Sequence, residues 1–262
     1  MRYHWAAEEY RQSSGEQAKW ADELMSKLDL AADEHVLDIG CGDGKVAYQV
    51  ARLARRGFVL GVDNSPEMIR LARRTYPPDK HDNLRFQVQD ARRLDFHQEF
   101  HLVFSNAALH WIVDHRPVLT GIKQSLKPKG RGLLQMGGVG NAAQLIDVIE
   151  GVMSKPSFAR FFRDFSLPYG FYGPEEYRIW LAEAGLKPVR VDFVPKDMVH
   201  KGREGLAAWI RTTWLPYTCR VPGNLRATFI DDIVDEFLTR FPPDVGGSVH
   251  VAMVRLEVEC EA

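Results

Sequence analysis

The hydrophobic positions of this chain change period as the sequence advances, and each change marks an element. Trp20, Ala21, Leu24, Met25 and Leu28 recur at helical spacing behind Ser14 and Gln17, a pair at capping-box distance, so residues 14–28 read as an opening helix. Residues 35–39 form a short apolar run closed by Gly40-Cys41-Gly42-Asp43-Gly44, after which Val46, Ala47, Val50, Ala51 and Ala54 share one helix face. Residues 58–62 make the next apolar run. Ser65 followed by Pro66 then opens a helix whose stripe is Met68, Ile69, Leu71 and Ala72. Residues 84–88 and 101–104 predict the third and fourth strands, 118–126 a helix ending at Lys127-Pro128-Lys129-Gly130, and 132–136 a fifth strand.

Strands alternating with helices over 30–137 predict a parallel, doubly wound sheet, whose ligands sit at the carboxyl ends of the strands. Beyond it the rhythm loosens. Helices are expected at 142–153, 174–184, 205–213 and 225–239, an irregular aromatic stretch at 154–173, and alternating strands at 188–194 and 248–258. The expected fold is therefore α/β: a Rossmann-like, seven-stranded, mostly parallel sheet with helical inserts forming a cap.

Composition narrows the function classes. Of 262 residues, 45% are hydrophobic and 26% charged, ordinary for a globular protein, and the net charge of −1 provides no general positive field for nucleic acid or an anionic membrane. Cys41, Cys219 and Cys260 are far apart and match neither a zinc site nor a disulfide framework, so they read as reduced thiols of a cytoplasmic protein with no bound metal. No apolar stretch approaches the ~18 residues of a membrane span, and the first residues lack a secretory core. A small polar ligand is the default partner, with no nucleic acid and no membrane, for a monomer or homodimer.

The chemistry concentrates at Val36-Leu37-Asp38-Ile39-Gly40-Cys41-Gly42-Asp43-Gly44. Glycines let a ligand approach the backbone where a helix begins, but Lys45 stands where a dinucleotide-binding turn carries its last glycine. Asp38 would also repel a pyrophosphate there, so an acid beside the turn suits a cationic ligand. Asp38-x-Gly40-x-Gly42-x-Gly44 resembles the first motif of the class I S-adenosylmethionine-dependent methyltransferases. Asp63 falls where that family's acid accepts the ribose hydroxyls, and the resemblance extends through Asn64, Ser65 and Met68. Gln89-Asp90-Ala91 resembles the segment that meets adenine, with Asp90 placed for the exocyclic amine, and Asn106, Ala107 and Trp111 resemble the border of the methionine end. Together with Cys41, and with Tyr10 and Gln17 from a lid, these are the residues the resemblance assigns to S-adenosyl-L-methionine and its product S-adenosyl-L-homocysteine.

The later segments Gly137-Gly138-x-Gly140-Asn141 and Tyr172-Gly173-Pro174-Glu175-Glu176-Tyr177 resemble the trans-aconitate methyltransferase group and its relatives that act on malonyl-carrier-protein. That resemblance implies a single domain over 1–262: a lid helix (1–29), a cofactor-binding half (30–140), cap inserts (141–186 and 200–242) and C-terminal strands (187–196 and 248–258). It also implies methyl transfer to a small carboxylic acid or acyl substrate, most simply to a carboxylate oxygen, which is already a nucleophile at neutral pH. N- or C-methylation of a small metabolite, or a cofactor-binding partner protein without turnover, are the alternatives. If a base is needed, His110 is the candidate, for positioning substrate or for proton removal. Arg160, Arg163, Arg211 and Arg220 are the candidate carboxylate clamps, while Trp209, Trp214 and Tyr217 fit an apolar acid equally well.

Overall fold

The computed structural model describes residues 15–262, with side chains from Lys19 onward. Tyr10 and the side chain of Gln17, the two expected lid contacts, lie outside the described residues. Among the described residues the chain divides into two compact units: one comprises Gln17–Val139, Tyr169–Val194 and Arg255–Ala262, the other Gly140–Pro168 and Pro195–Val254 with residues 15–16.

The first unit is built on the sheet. Its strands β1 (His35–Ile39), β2 (Phe58–Asp63), β3 (Leu84–Val88), β4 (Phe100–Asn106) and β5 (Leu126–Gly137) all pair in parallel. β6 (Lys187–Lys201) and β7 (Ser248–Glu261) complete the order β3-β2-β1-β4-β5-β7-β6, with β7 antiparallel to β5. The chain runs outward from β1 through β2 to β3 and then returns to place β4 on the other side of β1. That reversal opens a crevice at the carboxyl ends of β1 and β4, where open sheets hold ligands.

Successive strand residues point to opposite faces, so a strand buried on both sides feeds two cores. Val36, Val59 and Phe104 join Leu24 of α1 (Gly15–Met25), Val50 of α2 (Lys45–Leu53) and Ile69 of α3 (Pro66–Thr75). Leu37, Ile39 and Val103 join Ile122 of α4 (Arg116–Ser125) and Tyr177 and Leu181 of α6 (Pro174–Glu183). α5 (Ala143–Met153) lies between α4 and α6 in the chain and belongs to the second unit.

The second unit also contains α7 (Gly202–Thr213), the short α8 (Leu215–Thr218) and α9 (Gly223–Arg240). Phe229 of α9 packs on Phe158 and Phe162, with ring centroids 5.0 and 5.5 Å away. Lys155–Asp232 at 2.9 Å and Arg240–Asp147 at 2.6 Å tie the same helix at two further points.

Two strands depart from their expected limits. β5 begins at Leu126, six residues early, because Leu126 pairs with Phe100 and Arg131 with Leu102. The surplus residues bulge at Lys129 (φ +65°) and Gly130. β6 runs on past Pro195 to Lys201 because it is the outer strand of the sheet, where a residue without an N–H can cost no ladder bond.

Candidate functional site

The site assembles where four strands end. β1 enters the turn 40–44 through three glycines at positive φ: Gly40 (+78°), Gly42 (+53°) and Gly44 (+83°). The N–H groups of Gly40 and Cys41 both donate to Val62 O, at 2.7 and 3.0 Å, which ties the turn to the end of β2. Ser65 then starts α3 by accepting from Met68 N–H at 3.3 Å, with Pro66 in the first turn, as its sequence predicts.

Asp63 is the joint between these pieces. Its Oδ2 accepts from Gly42 N–H at 3.1 Å and its Oδ1 from Ser65 N–H at 2.8 Å, while its own carbonyl receives Gln89 N–H from the end of β3 at 3.0 Å. Burial pushes its carboxyl above the ordinary range, and N–H bonds from Ser65, Gly42 and Asn64 oppose that push. Each oxygen keeps a lone pair, so both can still receive hydroxyls. Asn64 is exposed beside it and Met68 is buried.

Asp38 is the unusual charge. It is only 2% exposed, its Oδ2 has no hydrogen-bond partner among the described residues, and burial first and the Asp63 charge second raise its pKa to about 7. A buried carboxylate with an oxygen left open is a receptor for a cation or a hydrogen-bond donor. The Cys41 thiol is buried against Gly61, where a Cβ would meet Sγ at 2.9 Å, so this residue offers the crevice its backbone.

The segment after β4 closes the turn from the other side. Ser105 Oγ donates to Ile39 O at 2.8 Å, Ala107 sits at φ +55°, and a Cβ on Gly40 would lie 2.1 Å from Ala108 Cβ. Asn106 Oδ1 is buried here without a partner among the described residues, a second open acceptor. After β3 the expected residues are differently engaged. Both Asp90 oxygens bond Arg92, which holds the carboxyl below its ordinary value, and Gln89 Nε2 donates to Arg93 O at 2.5 Å, beside Ala91.

His110 is fixed at both ends: its Nδ1 accepts from Gly137 N–H at 3.3 Å, and its carbonyl from Gly170 N–H at 2.9 Å. Burial first and the charge of Arg255 second hold its pKa well below the ordinary imidazole value. The ring is therefore neutral and, with Nδ1 accepting, carries its proton on Nε2. Trp111, Tyr169 and Phe171 stand around it at centroid distances of 5.7, 6.3 and 6.1 Å. Below this layer His115 is buried between Tyr177 Oη at 2.5 Å and Ile112 O at 2.9 Å, which anchors the turn that carries His110. His115 and Arg255 were not singled out from sequence. For Arg255 a signal exists, an arginine in register with Val249, Val251 and Met253 along an alternating strand.

The expected arginine clamps belong to the second unit. Arg160, Arg163 and Arg211 are exposed; Arg160 stacks on Phe161 at 4.7 Å and Arg220 on Phe165 at 5.1 Å.

Residues 30–185 match a family model described as a methyltransferase domain. An uncharacterized methyltransferase of Schizosaccharomyces pombe is 30% identical over 192 residues, 70% of each chain. A trans-aconitate 2-methyltransferase of Methylobacterium nodulans is 28% identical over 257 residues, 96% of each chain. Geranyl diphosphate C-methyltransferase from Streptomyces coelicolor, solved with S-adenosyl-L-homocysteine, shares the fold at a TM-score of 0.55 and 18% identity, over 94% of this chain and 79% of that one.

Proposed function

This chain belongs to the S-adenosylmethionine-dependent methyltransferases, and from that premise we propose that its acceptor is a small carboxylic acid methylated on a carboxylate oxygen. The observation that carries the reading is the setting of His110, a buried ring whose Nδ1 accepts Gly137 N–H at 3.3 Å. A ring held neutral by burial, with Nδ1 occupied by Gly137 N–H, presents Nε2–H, a donor rather than a proton acceptor. An alcohol or amine acceptor would need a base at this point, whereas a carboxylate arrives deprotonated and gains from a donor that orients one of its oxygens.

The crevice fits the cofactor. The open Oδ2 of Asp38 and the open Oδ1 of Asn106 are the acceptors that a ligand with a positive charge and polar N–H groups requires, and above Gly42 a Cβ would meet nothing within 4 Å among the described residues. Asp63 would receive the ribose hydroxyls; Gly40, Cys41, Gly42 and Gly44 would lend backbone; Met68, Ala107 and Trp111 would supply apolar contact. Gln89, Asp90 and Ala91 would border adenine, with Asp90 accepting from it while still paired to Arg92. When bound, S-adenosylmethionine supplies the methyl group from a sulfonium. The protein's task is then to align the nucleophile and exclude water, which the aromatic ring around His110 is built to do.

The test is a screen of carboxylic acids, amines and alcohols for S-adenosylhomocysteine release, repeated with His110→Asn. Asparagine keeps an acceptor for Gly137 N–H but cannot serve as a base. A carboxylate acceptor predicts a loss of about 10-fold in kcat/KM, one orienting hydrogen bond, with the shape of the pH profile unchanged. A loss of roughly 100- to 10,000-fold together with a vanished acid limb would identify His110 as a base and overturn the carboxylate reading.

A further inference from the structure

The two outer strands of the sheet meet the same hazard, a row of backbone groups turned away from the sheet that a second chain can pair with. They answer it differently. β6 carries Pro188 and Pro195, which have no N–H to offer, and lysines at 187, 196 and 201. β3, outermost on the other side, is the run Leu84-Arg85-Phe86-Gln87-Val88, with no proline and no lysine and with Val88 45% exposed. Val59 N–H donates to Asn83 O at 2.8 Å and Gln89 N–H to Asp63 O at 3.0 Å, in register with Val59 beside Leu84 and Asp63 beside Val88. Residues 83, 85, 87 and 89 therefore turn their backbone groups toward β2, and Leu84, Phe86 and Val88 turn theirs outward.

The outward carbonyls are taken by arginine. Arg73, in the last turn of α3, donates to Phe86 O twice, from Nε at 3.0 Å and from Nη2 at 2.7 Å. Arg85 Nη1 donates to Leu84 O at 2.7 Å, and Leu84 N–H turns back to His81 O at 3.3 Å. Two donors occupy both lone pairs of the Phe86 carbonyl, so it has nothing left for a neighbouring strand. Phe86 is also the middle residue of β3, and its carbonyl is the one that a two-fold pairing of this edge with its own copy would use at the centre. Such an antiparallel pair would set Arg85 against Gln87 and Leu84 against Val88, with no like charges opposed. We propose that Arg73 is the latch that keeps the β3 edge from pairing with a second copy of this chain, and that the partner this edge fits is that copy's own β3.

Sedimentation velocity of the full chain over a concentration series reads association, and calorimetric titration with S-adenosylhomocysteine reports whether each variant is folded. Wild type and Val88→Pro, which removes an outward N–H from the edge, should sediment alike. Arg73→Met should add a reversible, concentration-dependent step that doubles the wild-type mass, while binding S-adenosylhomocysteine within 3-fold of wild type. Combining Arg73→Met with Val88→Pro should abolish that step. A bond that serves only to staple α3 to β3 would lower the melting temperature of Arg73→Met and leave its mass unchanged, which overturns the proposal. Association that survives Val88→Pro overturns it by pointing to another surface, and a wild type heavier than Val88→Pro overturns it by showing the edge already open. Loss of S-adenosylhomocysteine binding in Arg73→Met assigns the arginine to the fold and overturns it as well.

Discussion

Asp38→Asn is expected to raise the melting temperature of the ligand-free protein at pH 8 by about 5 °C while weakening S-adenosylmethionine binding by about 100-fold. The two effects have one origin. Asp38 is buried, with one oxygen unpartnered among the described residues and a second carboxylate, Asp63, close enough to oppose its ionisation. Moving a carboxyl from its ordinary value to about 7 makes its charge cost on the order of 4 kcal/mol of folding stability once the pH is above both values. Asparagine keeps the shape and removes the charge, recovering part of that cost. The sign follows from proton counting. Between pH 4 and 7 the folded chain holds a proton on Asp38 that the unfolded chain has released, so ligand-free stability falls as pH rises through this window. A cationic ligand prefers the ionised form, so affinity should climb with pH up to about 7 and flatten above it. In Asp38→Asn the affinity slope should flatten and the stability slope should shrink to what the raised Asp63 carboxyl leaves. Thermal melts and calorimetric titrations from pH 5.5 to 8.5 decide the matter, and a variant melting below wild type at pH 8 would show that Asp38 serves the fold.

The glycine turn was legible because its causes are local. An apolar run into a turn, a Ser-Pro helix start and the spacing of Asp38 and Asp63 each depend on a few neighbouring residues, and the structure joins them as N–H bonds onto Asp63. Sheet order depends on pairings across the chain and was not read; what followed from the alternation of strand and helix, together with the family resemblance, was a doubly wound, mostly parallel sheet of seven strands. What escaped was set by rotamer choice, by a bulge and by contact across the chain. The Asp90 carboxylate is bonded by an arginine two residues on, a choice of rotamer that no spacing encodes. His115 matters because Tyr177 comes to rest on it, 62 positions away in the chain. Arg255 was not singled out because its inward register along β7 went unread. The early start of β5 escaped because a bulge at Lys129 and Gly130 absorbs surplus residues without breaking the strand.

Gly40→Ala and Gly42→Ala should separate two uses of glycine within one turn. Both positions have positive φ, so an added Cβ strains either backbone by about 1–2 kcal/mol. At Gly40 the new methyl would also stand 2.1 Å from Ala108 Cβ, far inside contact distance, on a segment that cannot retreat freely because Ser105 Oγ and Ala107 N–H bind Ile39 O and Gln135 O at 2.8 Å each. Relief requires β1 and β4 to part at their ends, and the expected loss is about 4 kcal/mol or more, together with loss of cofactor binding. At Gly42 no atom of the described residues lies within 4 Å of the added Cβ, so the fold loses only the backbone strain. If that open space is where the cofactor lies, Gly42→Ala should melt within a few degrees of wild type yet bind S-adenosylmethionine at least 10-fold more weakly. Denaturant titration alongside calorimetry reads both quantities. Equal destabilisation of the two variants would mean that Ala108 yields, and full cofactor affinity in Gly42→Ala would place the ligand away from the turn.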